Sequence, residues 1–206
     1  MYVTDDSITD DTAFFKILED VLKGGASIIQ LREKSCNTLS FYNRALKAKA
    51  LCDGYRVPLI INDRVDIALA ADADGVHIGQ TDMPYNKARE LLGANKIIGL
   101  SVSNKEQAIE AENLKVDYIG ISPIFNTATK KSDLAPSLGI DGLKMIRPLF
   151  SKPIVCIGGI HQKNVADIIK NGANGVAVIS AISKAKYPEK ETQNLKEIIC
   201  QTGSIQ

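Results

Sequence analysis

The chain has 206 residues, 45% hydrophobic and 24% charged, close to an average globular protein, which excludes disorder as a description of the whole. Lys and Arg (25) balance Asp and Glu (24), so there is no broad basic footprint for nucleic acid. Four scattered cysteines without a C-x-x-C pair argue against a zinc site or disulfide framework, and no apolar run is long enough to cross a bilayer; a cytoplasmic protein with reduced thiols is predicted.

Met1 leads directly into Tyr2-Val3-Thr4-Asp5-Asp6, without the cationic and apolar regions of a leader peptide, and a first strand is predicted near 1–4. Phe14, Ile17, Leu18, Val21 and Leu22 then mark one face of a helix, stopped by Gly24-Gly25. The second strand, near 27–32, runs into a polar tail. In Ser27-Ile28-Ile29-Gln30-Leu31-Arg32-Glu33-Lys34, alternate residues share a face, so Gln30, Arg32 and Lys34 point one way and Ile29 and Leu31 the other. Strands covered on both sides should be apolar throughout. Two cations at the end of one need anions, either from a phosphorylated ligand or from an internal ion-pair network with Glu33 or Asp63. Their place at a C-terminal strand end favours the ligand.

Leu39, Tyr42, Ala45, Leu46 and Lys49 suggest the face of the next helix. The third strand, near 58–62, ends in Asn62-Asp63, which reads equally well as a cap for the helix that follows. The fourth, near 74–78, runs into Gly79-Gln80-Thr81-Asp82, with His77 inside it as a packed, hydrogen-bonded imidazole. Adjacent strands lie roughly 5 Å apart, so Asp63 and Asp82 can face one Mg²⁺, an ion that takes one or two carboxylates besides phosphate and water.

A fifth strand, near 96–101, follows Gly93-Ala94 and closes on Ser101. After the sixth, near 116–121, come hydroxyls at Thr127 and Thr129 and the cation Lys130, an inventory suited to phosphate oxygens, though also that of a solvated loop. The seventh, near 153–157, leads to Gly158-Gly159-Ile160; the eighth, near 175–179, leads to Ile179-Ser180. Loops in these two places bind phosphate in many barrels. His161 reads as a surface residue. Val165, Ile168 and Ile169, then Leu195, Ile198 and Ile199, mark the last helical faces, and Ala73–Gly79 is echoed by Ala173–Ile179. Eight such alternations predict an α/β fold, a single (β/α)8 TIM barrel domain over 1–206. The lack of G-x-G-x-x-G after the first strand argues against a dinucleotide-binding sheet.

In this order and at these spacings the motifs resemble the thiamine-phosphate synthase family over nearly the whole chain. They are Thr4-Asp5, Gln30 to Lys34, Asn62-Asp63, Gly75 to Asp82, Gly99-Leu100-Ser101, Pro123 to Lys130, Gly158-Gly159-Ile160 and Ile179-Ser180. The resemblance implies a Mg²⁺-dependent transferase. It would join 4-amino-2-methyl-5-(diphosphooxymethyl)pyrimidine to 4-methyl-5-(2-phosphooxyethyl)thiazole by a dissociative route, giving thiamine phosphate and diphosphate. It further implies that Gln30, Arg32, Lys34, Asn62, Ser101 and Lys130 hold the pyrimidine diphosphate, with Arg32, Lys34, Ser101 and Lys130 serving catalysis. Asp63 and Asp82 would ligate Mg²⁺, and Thr127, Thr129, Gly159, Ile179 and Ser180 would hold the thiazole phosphate. Partners are then small phosphorylated molecules, with no nucleic acid and no membrane, and a homo-oligomer is allowed. A related thiazole tautomerase carries a catalytic histidine in the strand-six segment. Here Ser122-Pro123-Ile124-Phe125 has none, and both aspartates stand. A catalytically silent regulator is the other alternative, and the intact ligand set speaks against it.

Overall fold

Val, Ile and Leu fill both faces of the short apolar runs. In a computed structural model, which describes residues 1–126 and 136–203, each run becomes a strand of one parallel sheet. The strands are β1 (Tyr2–Val3), β2 (Ile29–Leu31), β3 (Leu59–Asn62), β4 (Gly75–Ile78), β5 (Ile97–Val102), β6 (Tyr118–Ile121), β7 (Ile154–Ile157) and β8 (Gly175–Ala177). Each pairs with the next in sequence order. A parallel bridge from Tyr2 to Val178, with Val3 N donating to Val178 O at 3.0 Å, returns the sheet to β1. The predicted (β/α)8 barrel is the observed architecture, and the strand boundaries fall within two residues of those read from the sequence.

The helices between the strands are α1 (Asp11–Lys23), α2 (Thr38–Gly54), α3 (Val65–Ala70), α4 (Tyr85–Leu92), α5 (Lys105–Leu114), α6 (Gly139–Ile146), α7 (Gln162–Lys170) and α8 (Ser180–Ser183), with α9 (Pro188–Gly203) last. Asp10, Asn37 and Asn104 start α1, α2 and α5 by accepting a backbone N–H three residues on. Glycine ends some helices as predicted, with Gly25 (φ 83°), Gly93 (76°) and Gly172 (100°) left-handed. Arg56, Asp72 and Lys115 take the same conformation after α2, α3 and α5; Gly54 closes α2 in the sequence, but no glycine marks the end of α3 or α5.

The face read for α2 needs correction. Leu39 and Leu46 are exposed, while Phe41, Ala45, Ala48 and Cys52 are buried. The true stripe is built mostly of small residues, which let the helix lie close against the strands, and small residues weigh little in a hydrophobic pattern.

The echo between residues 73–79 and 173–179 has a structural basis in the barrel floor. Asp74, Asp117 and Asn174 each precede an even-numbered strand. Each accepts an N–H from the start of the strand before it: Leu59 N at 2.8 Å, Ile98 N at 2.8 Å and Ile154 N at 2.9 Å. A cation backs each one, Lys49 at 3.6 Å, Arg89 at 2.6 Å and Arg147 at 3.0 Å. This polar device recurs every second strand and satisfies donors that the barrel end would otherwise leave open.

Inside the barrel, large side chains come from alternate strands: Gln30 from β2, His77 from β4 and Tyr118 from β6. Gly99 of β5 is in register with both His77 and Tyr118. A Cβ at Gly99 would fall 2.1 Å from the Tyr118 ring, and one at Gly120 would fall 2.9 Å from the His77 ring. The two glycines leave room for a polar interior in which tyrosine and imidazole meet.

Candidate active site

The C-terminal strand ends gather the charged residues named from sequence. β2 stops at Leu31. Beyond it, Thr4 fastens the chain through its hydroxyl, which accepts from Arg32 N (2.9 Å) and donates to Arg32 O (3.2 Å). The Arg32 guanidinium turns to Asp6, with Nη1 at 2.8 Å from Oδ1. Glu33 points the other way and holds Arg44 of α2 at 2.6 Å. Lys34, on the Arg32 side of the alternation, reaches the carboxylate of Asp63. The internal ion-pair alternative therefore holds for Lys34 with Asp63 but not for Glu33.

Asp63 is left-handed at φ 62°, a conformation that aspartate tolerates better than most residues. Its N–H donates to His77 O at 2.8 Å. It caps nothing: the residue that starts α3 is Arg64, and no side-chain bond serves there. Neither Asn62 nor Asp63 is spent on the helix that follows. The Asp63 carboxyl instead lies between Lys34 and Asp82. Burial pushes it above the usual carboxylate range, Lys34 opposes this, and the facing carboxyl of Asp82 adds to the rise. Asp82 is held in turn by Gly79 N at 2.7 Å.

Two carboxyls in hydrogen-bonding reach of one another repel unless a proton or a cation lies between them. Among the described residues no three His, Cys, Asp or Glu gather to hold a metal by themselves. A pair of carboxylates needing further oxygens from phosphate and water fits Mg²⁺, the ion inferred from the sequence.

Ser101, in β5, is joined to the barrel interior. His77 Nε2 lies 2.9 Å from Ser101 Oγ, His77 Nδ1 lies 2.9 Å from the Tyr118 hydroxyl, and Gln80 Nε2 donates to Ser101 O at 2.7 Å. Gln30 is buried below the mouth, and Asn62 ends β3 in register with His77. Burial lowers the His77 imidazole to about 4, with the Asp82 carboxylate pulling the other way. Below pH 6.5 an unfolded histidine takes up a proton that the folded one refuses, so stability falls as pH drops from 6.5 towards 4. The drop is worth roughly 3 kcal/mol for this one group. Melting temperature measured across that window should fall for the wild type, and the slope should flatten in His77→Gln.

The remaining site residues occupy another arc. Gly159 (φ 64°) follows β7, where a Cβ would meet Asn126 O at 2.7 Å, and Ile179 and Ser180 open α8 after β8. Thr127, Thr129 and Lys130 lie outside the described residues. Sequence reasoning missed Asp6 as the partner of Arg32, and it missed Tyr118. An acidic residue just past β1 could have signalled the first; nothing in the apolar run around Tyr118 marks the second. A groove of about 780 Å³ runs between α1 and the start of α9 past Lys16, Ile17, Tyr187 and Lys190, and no rim residue named above lines it. The chemistry sits at the mouth, where charge converges.

Residues 1–182 match the family model described as thiamine monophosphate synthase. A thiamine-phosphate synthase of Clostridium acetobutylicum is 45% identical over 197 residues, covering 96% of this chain and 92% of that protein. One of Methanobrevibacter smithii is 47% identical over 195 residues, covering 95% and 92%. Among solved structures, thiamine phosphate pyrophosphorylase from Pyrococcus furiosus superposes with a TM-score of 0.87 at 36% identity, covering 98% of this chain and 95% of that one. Orotidine 5'-phosphate decarboxylase from Pyrococcus horikoshii, at 17% identity and a TM-score of 0.71, shares the fold alone.

Proposed function

The chain belongs to the thiamine monophosphate synthase family and is a transferase, and on that premise we propose a division of labour around the barrel mouth. It joins 4-amino-2-methyl-5-(diphosphooxymethyl)pyrimidine to 4-methyl-5-(2-phosphooxyethyl)thiazole and releases diphosphate. The observation that carries this reading is the meeting of Lys34, Asp63 and Asp82 at one point of the rim, with Arg32 and Ser101 on neighbouring strand ends.

Arg32 and Lys34 exchange their carboxylate partners for diphosphate oxygens. A diphosphate carries more charge than a carboxylate, so the exchange is favourable. Asp63 and Asp82 would hold Mg²⁺, whose charge, when bound, supports departure of the diphosphate. Gln30 and Asn62 orient the pyrimidine from the barrel interior and the end of β3. Gly159, Ile179 and Ser180 hold the thiazole phosphate on the β7–β8 arc, where glycine and a helix start bring backbone N–H groups to an anion. In this reading Lys130 serves the pyrimidine diphosphate, and Thr127 and Thr129 serve the thiazole phosphate. The carbon–oxygen bond breaks first, and the thiazole nitrogen captures the pyrimidine methyl cation. Such a route needs placed charge and excluded water rather than an acid–base pair. That requirement matches a site whose buried histidine stays neutral.

The same reading makes the chain a one-domain cytoplasmic enzyme. None of its four cysteines is in a disulfide, and among the described residues no helix is long and apolar enough to cross a membrane. The direct test mixes protein, Mg²⁺ and both substrates. Thiamine phosphate should accumulate, and EDTA should stop it until Mg²⁺ is restored. No product at all, or product indifferent to EDTA, overturns the reading.

A further inference from the structure

Ser101 is the outer end of a buried hydrogen-bond relay. From the inside outward it runs Tyr118 hydroxyl, His77 Nδ1, His77 Nε2 and Ser101 Oγ, with 2.9 Å at each contact. A neutral imidazole carries one proton, so the relay has two possible directions. In one, Tyr118 donates to Nδ1, Nε2–H donates to Ser101, and the serine hydroxyl is left to donate into the mouth. In the other, Ser101 donates inward and offers the mouth only a lone pair.

The surroundings select the first. A phenolic O–H is more acidic than an alkyl hydroxyl and so the stronger donor, which makes Tyr118 rather than Ser101 the group that donates to the imidazole across its 2.9 Å contact. At the outer end, Gln80 holds the Ser101 carbonyl and so fixes the strand that carries the hydroxyl. Gly99 and Gly120 provide the space in which the two rings meet, and no buried side-chain polar atom among the described residues lacks a partner.

We propose that Tyr118 and His77 are positioning residues that lock the Nε2–H tautomer and thereby present the Ser101 hydroxyl as a donor to a diphosphate oxygen of the pyrimidine substrate. The proposal rests on the reading of Ser101 as a diphosphate ligand given above. A donor aimed at oxygens that gain negative charge assists their departure, whereas a lone pair would repel them. A neutral relay also keeps positive charge away from the cation that forms above it.

Tautomer and kinetics test the proposal separately. In protein labelled with ¹⁵N-histidine, His77 should show a protonated Nε2 and an unprotonated Nδ1, and Tyr118→Phe should lose that single state. Tyr118→Phe should lower kcat about tenfold and leave the KM for the thiazole phosphate within about twofold, the scale of one hydrogen bond to a charged group. In a Ser101→Ala background the same substitution should change nothing further, which general loosening of the core would not reproduce. His77→Gln, which keeps a neutral N–H near the Nε2 position, should recover most of what His77→Ala loses.

An Nδ1–H tautomer in the wild type overturns the proposal. So does a fully active Tyr118→Phe, or an equal loss on Tyr118→Phe with and without Ser101. A wild-type protein that forms no thiamine phosphate defeats the functional reading instead. In that event the tautomer signal still decides the relay, together with calorimetry of inorganic diphosphate plus Mg²⁺ on wild type and Tyr118→Phe. Equal affinity of the two proteins for diphosphate then counts against the proposal.

Discussion

Asp63→Asn is expected to lower kcat for thiamine phosphate formation by about 10²–10³, the scale of removing one group that stabilises developing charge. The Asp63 carboxyl stands between Lys34 and Asp82. Asparagine copies its shape and tolerates the left-handed backbone, so the turn at the end of β3 should survive. Half of the carboxylate pair is lost, and Lys34 loses its anion. Half-saturation by Mg²⁺ should therefore move to higher concentration while both substrates can still enter.

Stability should move the other way. A carboxyl whose folded form resists ionisation is a net burden near neutral pH, since burial and the Asp82 carboxyl both act against its charge. Removing that charge should leave the melting temperature unchanged or raised, the usual signature of a site strained for function. Asp82→Asn should repeat the kinetic pattern. A variant with near-normal kcat and an unshifted Mg²⁺ response would remove Asp63 from the metal site.

The fold was legible because parallel strands buried on both faces write themselves as apolar runs, and all eight stood where β-branched residues cluster. Much of the rim was legible for the complementary reason: Arg32, Lys34, Asp63 and Asp82 are charges where such strands should carry none. What stayed hidden depends on three-dimensional proximity. Asp6 became the partner of Arg32 only when β1 and β2 paired, and Thr4 tied the two loops by its hydroxyl. Tyr118 looks like any aromatic residue opening a strand until Gly99, in register beside it, makes room for its ring next to His77. The inner face of α2 was read correctly at Ala45 and otherwise misread, because Ala48 and Cys52 pack by being small, a property that a hydrophobicity pattern does not weigh. The alternative of Asp63 as a helix cap was settled by one turn, in which α3 starts at Arg64 without a side-chain cap.

Arg32→Ala tests the division of the mouth into two arcs. Its kcat/KM with the pyrimidine diphosphate should fall about 10²–10³, while KM for the thiazole phosphate stays within about twofold, because the lost contact acts on one substrate only. The scaffold should tolerate the change. Thr4 grips residue 32 through the backbone N–H and C=O, and alanine keeps both. What disappears is the guanidinium, and with it the partner of Asp6. The Asp6 side chain keeps 24% of its surface exposed, so water can reach the carboxylate left behind, and stability should change by about 1 kcal/mol. Asp6→Asn supplies the opposite perturbation. Freed of its competitor, Arg32 should bind the diphosphate as well as before or better, and KM for that substrate should not rise. Equal losses for both substrates in Arg32→Ala would mean that β2 and the β7–β8 loops act on one shared anion. The separation of Arg32 and Lys34 from Gly159, Ile179 and Ser180 would then have no kinetic meaning.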